Sequence, residues 1–210
     1  MRVVLASASP ARLGLLRAAG LDPEVVVSGV DEEAVAAALP DPSPEVTVAA
    51  LATAKAAEVA RRVGPDAVVI GCDSMLHVGG ELVGKPGTVD EARRRWRAMA
   101  GGTGDLLTGH AVIRTGSDGE PAATARDVRT TAVRFGTPAP EELEAYLATG
   151  EPLAVAGAFT LDGLGGWFVE GVDGDPSSVV GLSLPLTRRL LAGVGVSVVT
   201  LWKGVPAAPR

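Results

Sequence analysis

Residues 3–12, Val-Val-Leu-Ala-Ser-Ala-Ser-Pro-Ala-Arg, read as a buried strand that turns straight into a helix. Ser9 is placed to cap that helix, and Pro10 suits its first turn, where the N–H that proline lacks would go unpaired anyway. A helix start at the mouth of a sheet offers backbone N–H groups and the positive end of a dipole. Ser7, Ser9 and Arg12 add side-chain donors there, which suits an anion and above all a phosphate. An ordinary capped strand-to-helix connection would look the same in this segment alone.

Further along, the pattern keeps alternating between strand and helix. Leu13, Leu15 and Leu16 fall on a helical spacing over 11–19, with Gly20 as its stop, and Val25–Val27 read as a second strand running into an acidic turn, Asp31-Glu32-Glu33. A Pro-rich loop from Pro40 to Pro44 leads through Ser43-Pro44-Glu45 into a long helix that reaches Val63. Ala67–Gly71 form a continuous apolar run expected to be a central strand, with Asp73 just past its end. Residues 76–83 suggest a hairpin turning at Gly79-Gly80, and Thr88 with Glu91 a capping box for the helix that carries Trp96 and Met99.

Two strands follow near 106–114 and 126–135, then a helix from the Thr137-Pro-Ala-Pro segment to Thr149. The Gly-rich stretch 157–166 precedes a strand at 167–172, the loop Asp173–Ser177, a helix over 184–192 and a last strand near 196–202. This order predicts an α/β fold, a mixed β-sheet flanked by helices. We expect one α/β domain over residues 1–205, in one piece or as two lobes around a central cleft, and a frayed tail at 206–210.

At 210 residues, 47% hydrophobic and 21% charged, the chain is long enough and apolar enough for a sizeable core. Aromatic residues are only 3%, so bases of a nucleic acid would find few stacking partners, and a net charge of −6 argues against extended DNA or RNA binding. A small anionic ligand would need a local cluster of Lys and Arg, or a metal. Cys72 is the single cysteine, which excludes an intramolecular disulfide and a cysteine-based metal site. No secretory leader pattern or membrane-length apolar run stands out, so the expected location is cytoplasmic, with no membrane partner.

Few polar residues interrupt the apolar pattern abruptly. Asp73 does so at a strand end, where ligands collect in α/β sheets, and could serve as a general base, a metal ligand or the cap of a turn. Lys55 stands inside an Ala-rich helix, and Lys85, fixed by Pro86, is presented from a loop. Each could face the same crevice or simply be solvated. His77 and His110 are too isolated to suggest a metal pair, and the Arg93-Arg94-Arg95 run with Arg97 reads as a solvated helix face. Neither the 157–166 stretch nor the Asp173-Gly-Asp-Pro-Ser-Ser loop matches a Walker A or Rossmann fingerprint.

Taken in order, LASASPAR (5–12), VSGVDEE (27–33), LATAKAAEVA (51–60), VIGCDSM (69–75), GKP (84–86), GEPLAVAGAF (150–159) and VDGDPSSVVGLSLPL (172–186) resemble the Maf family over nearly the whole chain. The resemblance implies a fold like that of the inosine triphosphate pyrophosphatases, a divalent metal (Mg²⁺ or Mn²⁺) and a homodimer. It also implies hydrolysis of a nucleoside triphosphate between the α and β phosphates, giving monophosphate and pyrophosphate, with a link to cell division. By position, Asp73 matches the family's catalytic proton acceptor, and Ser9, Arg12, Lys55 and Lys85 its phosphate-handling residues; Ser7 is added from the opening turn. A metal would be held partly by Asp73 or by Asp31 and Glu32.

The chain departs from the family at positions expected to select the substrate. Ala11 replaces the first of two arginines, Ser74 replaces a threonine, and Ala154–Gly163 lacks the usual lysine and has Asp162 for a glutamine and Phe159 for a tyrosine. Two other functions fit parts of the pattern: a nucleotide-binding cell-division regulator without turnover, and a nucleotidyltransferase. The latter normally carries a Gly-rich loop where this chain has Ser7-Ala8-Ser9.

Overall fold

A computed structural model describes residues 1–40 and 42–203; the expected tail at 206–210, and Asp41 of the Pro-rich loop, lie outside the described residues. The strands are β1 (Arg2–Leu5), β2 (Glu24–Val25), β3 (Ala67–Val78), β4 (Glu81–Val83), β5 (Thr103–Thr115), β6 (Pro121–Phe135) and β7 (Val169–Asp173). The helices are α1 (Pro10–Ala18), α2 (Glu32–Ala37), α3 (Pro44–Val63), α4 (Val89–Met99), α5 (Pro140–Ala148), α6 (Pro176–Val180) and α7 (Leu184–Gly193). The strand order is β2-β1-β3-β5-β6-β7, with β4 paired to β3. β1 runs parallel to β2 and β3, whereas β4 and β7 pair antiparallel with β3 and β6, so the sheet is mixed, as expected. The chain forms two compact units. The first comprises residues 1–73, 109–128 and 181 onward; the second comprises 74–108 and 129–180.

In the first unit the period-2 alternation of a strand separates two layers of core. Leu5, Val68, Ile70, Cys72 and Val112 pack with Leu16 of α1 and Leu186, Leu190 and Leu191 of α7. Their neighbours in sequence, Val4, Ala6, Ala67, Val69, Ala111 and Ile113, pack instead with Ala52, Ala56, Val59 and Ala60 of α3. The strands are therefore covered on both faces, which explains their unbroken apolar runs. α3 approaches closely because glycines face it. A Cβ on Gly71 would lie 2.5 Å from the Ala52 carbonyl oxygen, and one on Gly109 2.1 Å from that of Val48.

The second unit is built around Trp96, which is fully buried and donates its indole N–H to the Ala158 carbonyl at 2.7 Å. Phe135, Tyr146 and Phe168 stand around it with ring centroids 5.9, 6.0 and 5.9 Å away.

Several elements differ from the sequence expectation, each for a local reason. Asp73 is not past a strand end: β3 continues from Ala67 to Val78, because backbone pairing carries on into the hairpin after the apolar run stops. The acidic turn is the start of α2, with Asp31 as its N-cap and Glu32 and Glu33 in its first turn, where carboxylates complement the helix dipole. α6 begins at Pro176 inside the expected 173–177 loop. The last strand near 196–202 is instead a 3₁₀ turn over Val198–Leu201; its apolar residues pack on the α1/α7 layer without joining a sheet. The strand expected at 167–172 starts at Val169, since Leu164–Phe168 form another 3₁₀ turn. The capping box at α4 is half present. Thr88 accepts from the Glu91 N–H at 3.3 Å, but the Glu91 carboxylate is taken by Arg94 and Arg95.

Candidate active site

Parity along β3 places Asp73 on the same face as Ala67, Val69 and Gly71, the face that meets α3. Lys55 lies on the buried side of α3 between Ala52 and Val59, and the missing Cβ at Gly71 lets that helix come near enough for the two side chains to touch. Lys55 Nζ donates to Asp73 Oδ1 at 2.6 Å, with both residues buried. The same ammonium lies 2.7 Å from Glu32 Oε1, at the start of α2, and that carboxylate is more than half exposed. One cation thus bridges a buried and a solvent-facing carboxylate.

The opening turn is anchored to this strand. Ser9 caps α1 by accepting from the Arg12 N–H at 3.4 Å, and Ser7 Oγ accepts from the Ser9 N–H at 3.2 Å. Arg12 reaches back along the turn: Nε donates to the Gly181 carbonyl at 2.8 Å, and Nη1 to the Cys72 carbonyl at 2.9 Å and to Ser7 Oγ at 3.1 Å. Its guanidinium is therefore fixed against the residue preceding Asp73. Ala11 occupies the first turn of α1 and is half-buried. Burial pushes the Cys72 thiol up to about 11, so it is protonated at neutral pH and is not a reactive thiolate.

The remaining predicted residues belong to the second unit. Lys85 is exposed in a loop that is held on both sides: the Gly84 carbonyl accepts from Arg95 Nη1 at 2.6 Å and from the Gly157 N–H at 3.1 Å, and the Gly87 N–H donates to the Leu153 carbonyl at 3.2 Å. Arg95 is thus an anchor and not part of a solvated face. Ser74 Oγ lies 3.0 Å from Thr108 Oγ1, which donates to the Ser178 carbonyl at 3.1 Å. Phe159 is buried, its ring 5.0 Å from that of Phe135, so it is a core residue, whereas Asp162 is exposed on the turn that follows. His110, back in the first unit, is fully buried and accepts from the Ser183 N–H at 2.8 Å, ahead of α7.

Of the expected metal ligands, Asp31 accepts from the Ala34 N–H at 3.0 Å as the cap of α2, and Glu32 and Asp73 share Lys55. Among the described residues no group of three or more His, Cys, Asp and Glu is placed to hold a metal ion. Neither the Arg12 contact with the Cys72 carbonyl nor the Glu32–Lys55 pair has a local signature in the sequence. The signal for the Lys55–Asp73 contact was Gly71, two residues before the aspartate in an otherwise bulky apolar run.

The family described as Maf-like protein matches residues 2–194. A protein of Saccharopolyspora erythraea called nucleoside triphosphate pyrophosphatase is 64% identical over 212 residues, covering 99% of this chain and 100% of its own. One of the same name from Rhodococcus erythropolis is 60% identical over 207 residues, covering 96% and 97%. Among solved structures, the nucleoside-triphosphatase / dITP/XTP pyrophosphatase of Mycobacterium abscessus aligns with a TM-score of 0.33 and 16% identity, over 64% of this chain and 73% of that one. That likeness is too slight to bear on function.

Proposed function

This chain belongs to the Maf family, and we propose that it is a nucleoside triphosphate pyrophosphatase that cleaves between the α and β phosphates. The full-length relatives bearing that name carry the reading. The first unit supplies chemistry that suits it: Asp73, buried and acceptor-only as a carboxylate, orients the attacking water and takes its proton. Lys55 holds Asp73 in place and, with Arg12 and the N-terminus of α1 behind Ser7 and Ser9, offers positive charge to the phosphates. Lys85 is assigned to phosphate binding, and Ala11, Ser74 and Asp162 to substrate selection, on the family resemblance.

A divalent cation fits the donor set in part. Glu32 and Asp73 already bring two carboxylates to one positive centre, the Lys55 ammonium, and Mg²⁺ is commonly held by one or two carboxylates together with substrate phosphates. Asp31, committed to capping α2, is left out of that set. When bound, Mg²⁺ or Mn²⁺ would neutralise phosphate charge and make water a better nucleophile. A homodimer in the cytoplasm belongs to the same proposal, and no described helix is long and apolar enough to cross a membrane.

The test is incubation with a panel of nucleoside triphosphates and Mg²⁺ or Mn²⁺, resolving monophosphate and pyrophosphate from diphosphate and phosphate. Monophosphate with pyrophosphate is the expected result. Release of diphosphate, or a strict requirement for a second substrate, defeats the proposal, and tight binding without turnover returns the chain to the regulator class.

A further inference from the structure

Glu151, outside the cluster described so far, accepts four hydrogen bonds in the second unit. Its Oε1 takes Thr160 Oγ1 at 2.5 Å, the Gly165 N–H at 3.0 Å and the Tyr146 hydroxyl at 3.2 Å, and its Oε2 takes the Leu164 N–H at 3.1 Å. The mount is rigid. The Glu151 N–H donates to Thr149 Oγ1 at 3.2 Å, Gly150 at φ 75° reverses the chain after α5, and Pro152 follows. Tyr146 is itself wedged among aromatic rings, 6.0 Å from Trp96 and 5.7 Å from Phe168.

The turn from Thr160 to Gly165 is shaped around this carboxylate. A Cβ on Gly163 would lie 2.8 Å from both Glu151 Oε2 and Thr160 Oγ1, and one on Gly165 2.5 Å from the Tyr146 hydroxyl. These two glycines are therefore required by close approach, a role the Gly-rich composition alone did not specify. Burial pushes Glu151 toward protonation, but the hydrogen bonds from Thr160, Leu164, Gly165 and Tyr146 outweigh it and hold the carboxyl below its usual range. Burial keeps the Tyr146 phenol protonated, so it remains a donor. Asp162 is exposed on this pinned turn, as are Gly163 and Leu164, and it is the only ionisable side chain the turn carries.

We infer that Glu151 is a positioning residue for nucleotide selection, fixing the Thr160–Gly165 turn in one shape so that Asp162 presents its carboxylate to the base and sugar of the substrate. The inference rests on the assignment of Asp162 to selection made above. It separates two tasks: Asp162 reads the nucleoside, and Glu151 holds the reader still. A site that is loose by a fraction of an ångström discriminates poorly, because wrong substrates are then rejected no more strongly than right ones.

The experiment measures kcat and KM for the four common nucleoside triphosphates and for methyl triphosphate, which has neither base nor sugar. It compares wild type with Glu151→Gln, Thr160→Val and Thr160→Ser. In the first two variants the spread in kcat/KM between best and worst nucleotide should shrink by about tenfold, through KM, with kcat on the best nucleotide within about threefold of wild type. Methyl triphosphate should be hydrolysed as before, and Thr160→Ser, which keeps the hydroxyl, should retain the wild-type spread. A uniform fall on every substrate including methyl triphosphate, an unchanged spread, or no spread in wild type overturns the inference.

If wild type splits no triphosphate, the proposed function fails, and the inference is read from the dissociation constants of α,β-methylene analogues, which need no turnover. Their spread should collapse in the same variants, and if it does not, or if none binds, the inference fails. Should Glu151→Gln not fold, Thr160→Val decides alone.

Discussion

The two units solve the problem of placing a polar group in different ways. In the first, strands and α3 are packed with Ala, Val and Gly, and the helix backbone rides directly over Gly71 and Gly109, so a lysine and an aspartate from regular elements are pressed together. In the second, which holds every Phe and Tyr and two of the three Trp residues, interlocked rings around Trp96 support irregular turns. Small residues buy proximity between rigid elements, and large ones give loops a floor to stand on. Regular elements held backbone to backbone suit groups that need sub-ångström placement, and turns resting on a rigid floor suit groups presented at the surface.

The sharpest way to break the comparison is Asp73→Asn. Asparagine can still accept from Lys55, and Lys55 keeps Glu32, so the fold should survive while hydrolysis falls by about 10²–10⁴-fold through loss of the base. Pyrophosphate release and the melting temperature, measured on the same preparation, separate the two effects. Near-normal turnover by folded protein would remove Asp73 from the mechanism.

Trp96→Ala probes the other style of construction. Its ring is fully buried, touches three other rings and donates to the Ala158 carbonyl, so about 3–5 kcal/mol of stability should be lost in a urea titration. A loss under about 1 kcal/mol, the range of a surface substitution, would mean that the aromatic cluster does not hold its unit together.

How much of this could be read beforehand follows the same division. Alternation and caps marked α1, α3, α4, α5 and α7, because periodicity and capping are local properties of sequence. Asp73 was misplaced relative to β3 because polarity reports what a side chain faces, whereas a strand ends where backbone pairing ends. Val196 misled in the opposite sense: it is buried, yet among the described residues its segment joins no strand, since burial favours the same residues in a turn as in a strand. At the site, the anion-friendly turn at Ser7–Arg12 was legible, but the Lys55–Asp73 contact joins residues 18 apart in the chain. Glu151 was invisible, because a carboxylate becomes a hub only when a turn of fixed shape brings four donors to it.

A smaller change returns to the first unit. In Gly109→Ala the new methyl would collide with the Val48 carbonyl, which belongs to the helix backbone and cannot rotate away as a flexible side chain could. Forcing α3 outward should cost about 1–3 kcal/mol. Because α3 carries Lys55, turnover should fall along with stability, whereas Trp96→Ala should leave turnover by the folded fraction closer to wild type. If Gly109→Ala lowers stability and leaves turnover untouched, close packing of α3 is structural only and the contrast between the units weakens.

The smallest effect expected is electrostatic and lies on α4, where the arginine run is more ordered than a solvated face. Hydrogen bonds from Arg94 and Arg95 hold the Glu91 carboxyl at about 2, against an ordinary value of 4.5. Being lower in the folded chain, it contributes stability that is fully present above about 4.5 and is lost as pH falls toward about 2. Since Arg94 is exposed and Glu91 partly so, the contribution is screened and should fade with added salt. The urea midpoint of wild type should therefore exceed that of Glu91→Gln at pH 6 in low salt, and the two should converge as pH is lowered through 4 to 2. The pair also steadies Arg95, which donates to the Gly84 carbonyl beside Lys85. A KM for triphosphate that rises in Glu91→Gln at pH 7, with kcat unchanged, would tie this surface network to the placement of Lys85; an unchanged KM would confine it to stability.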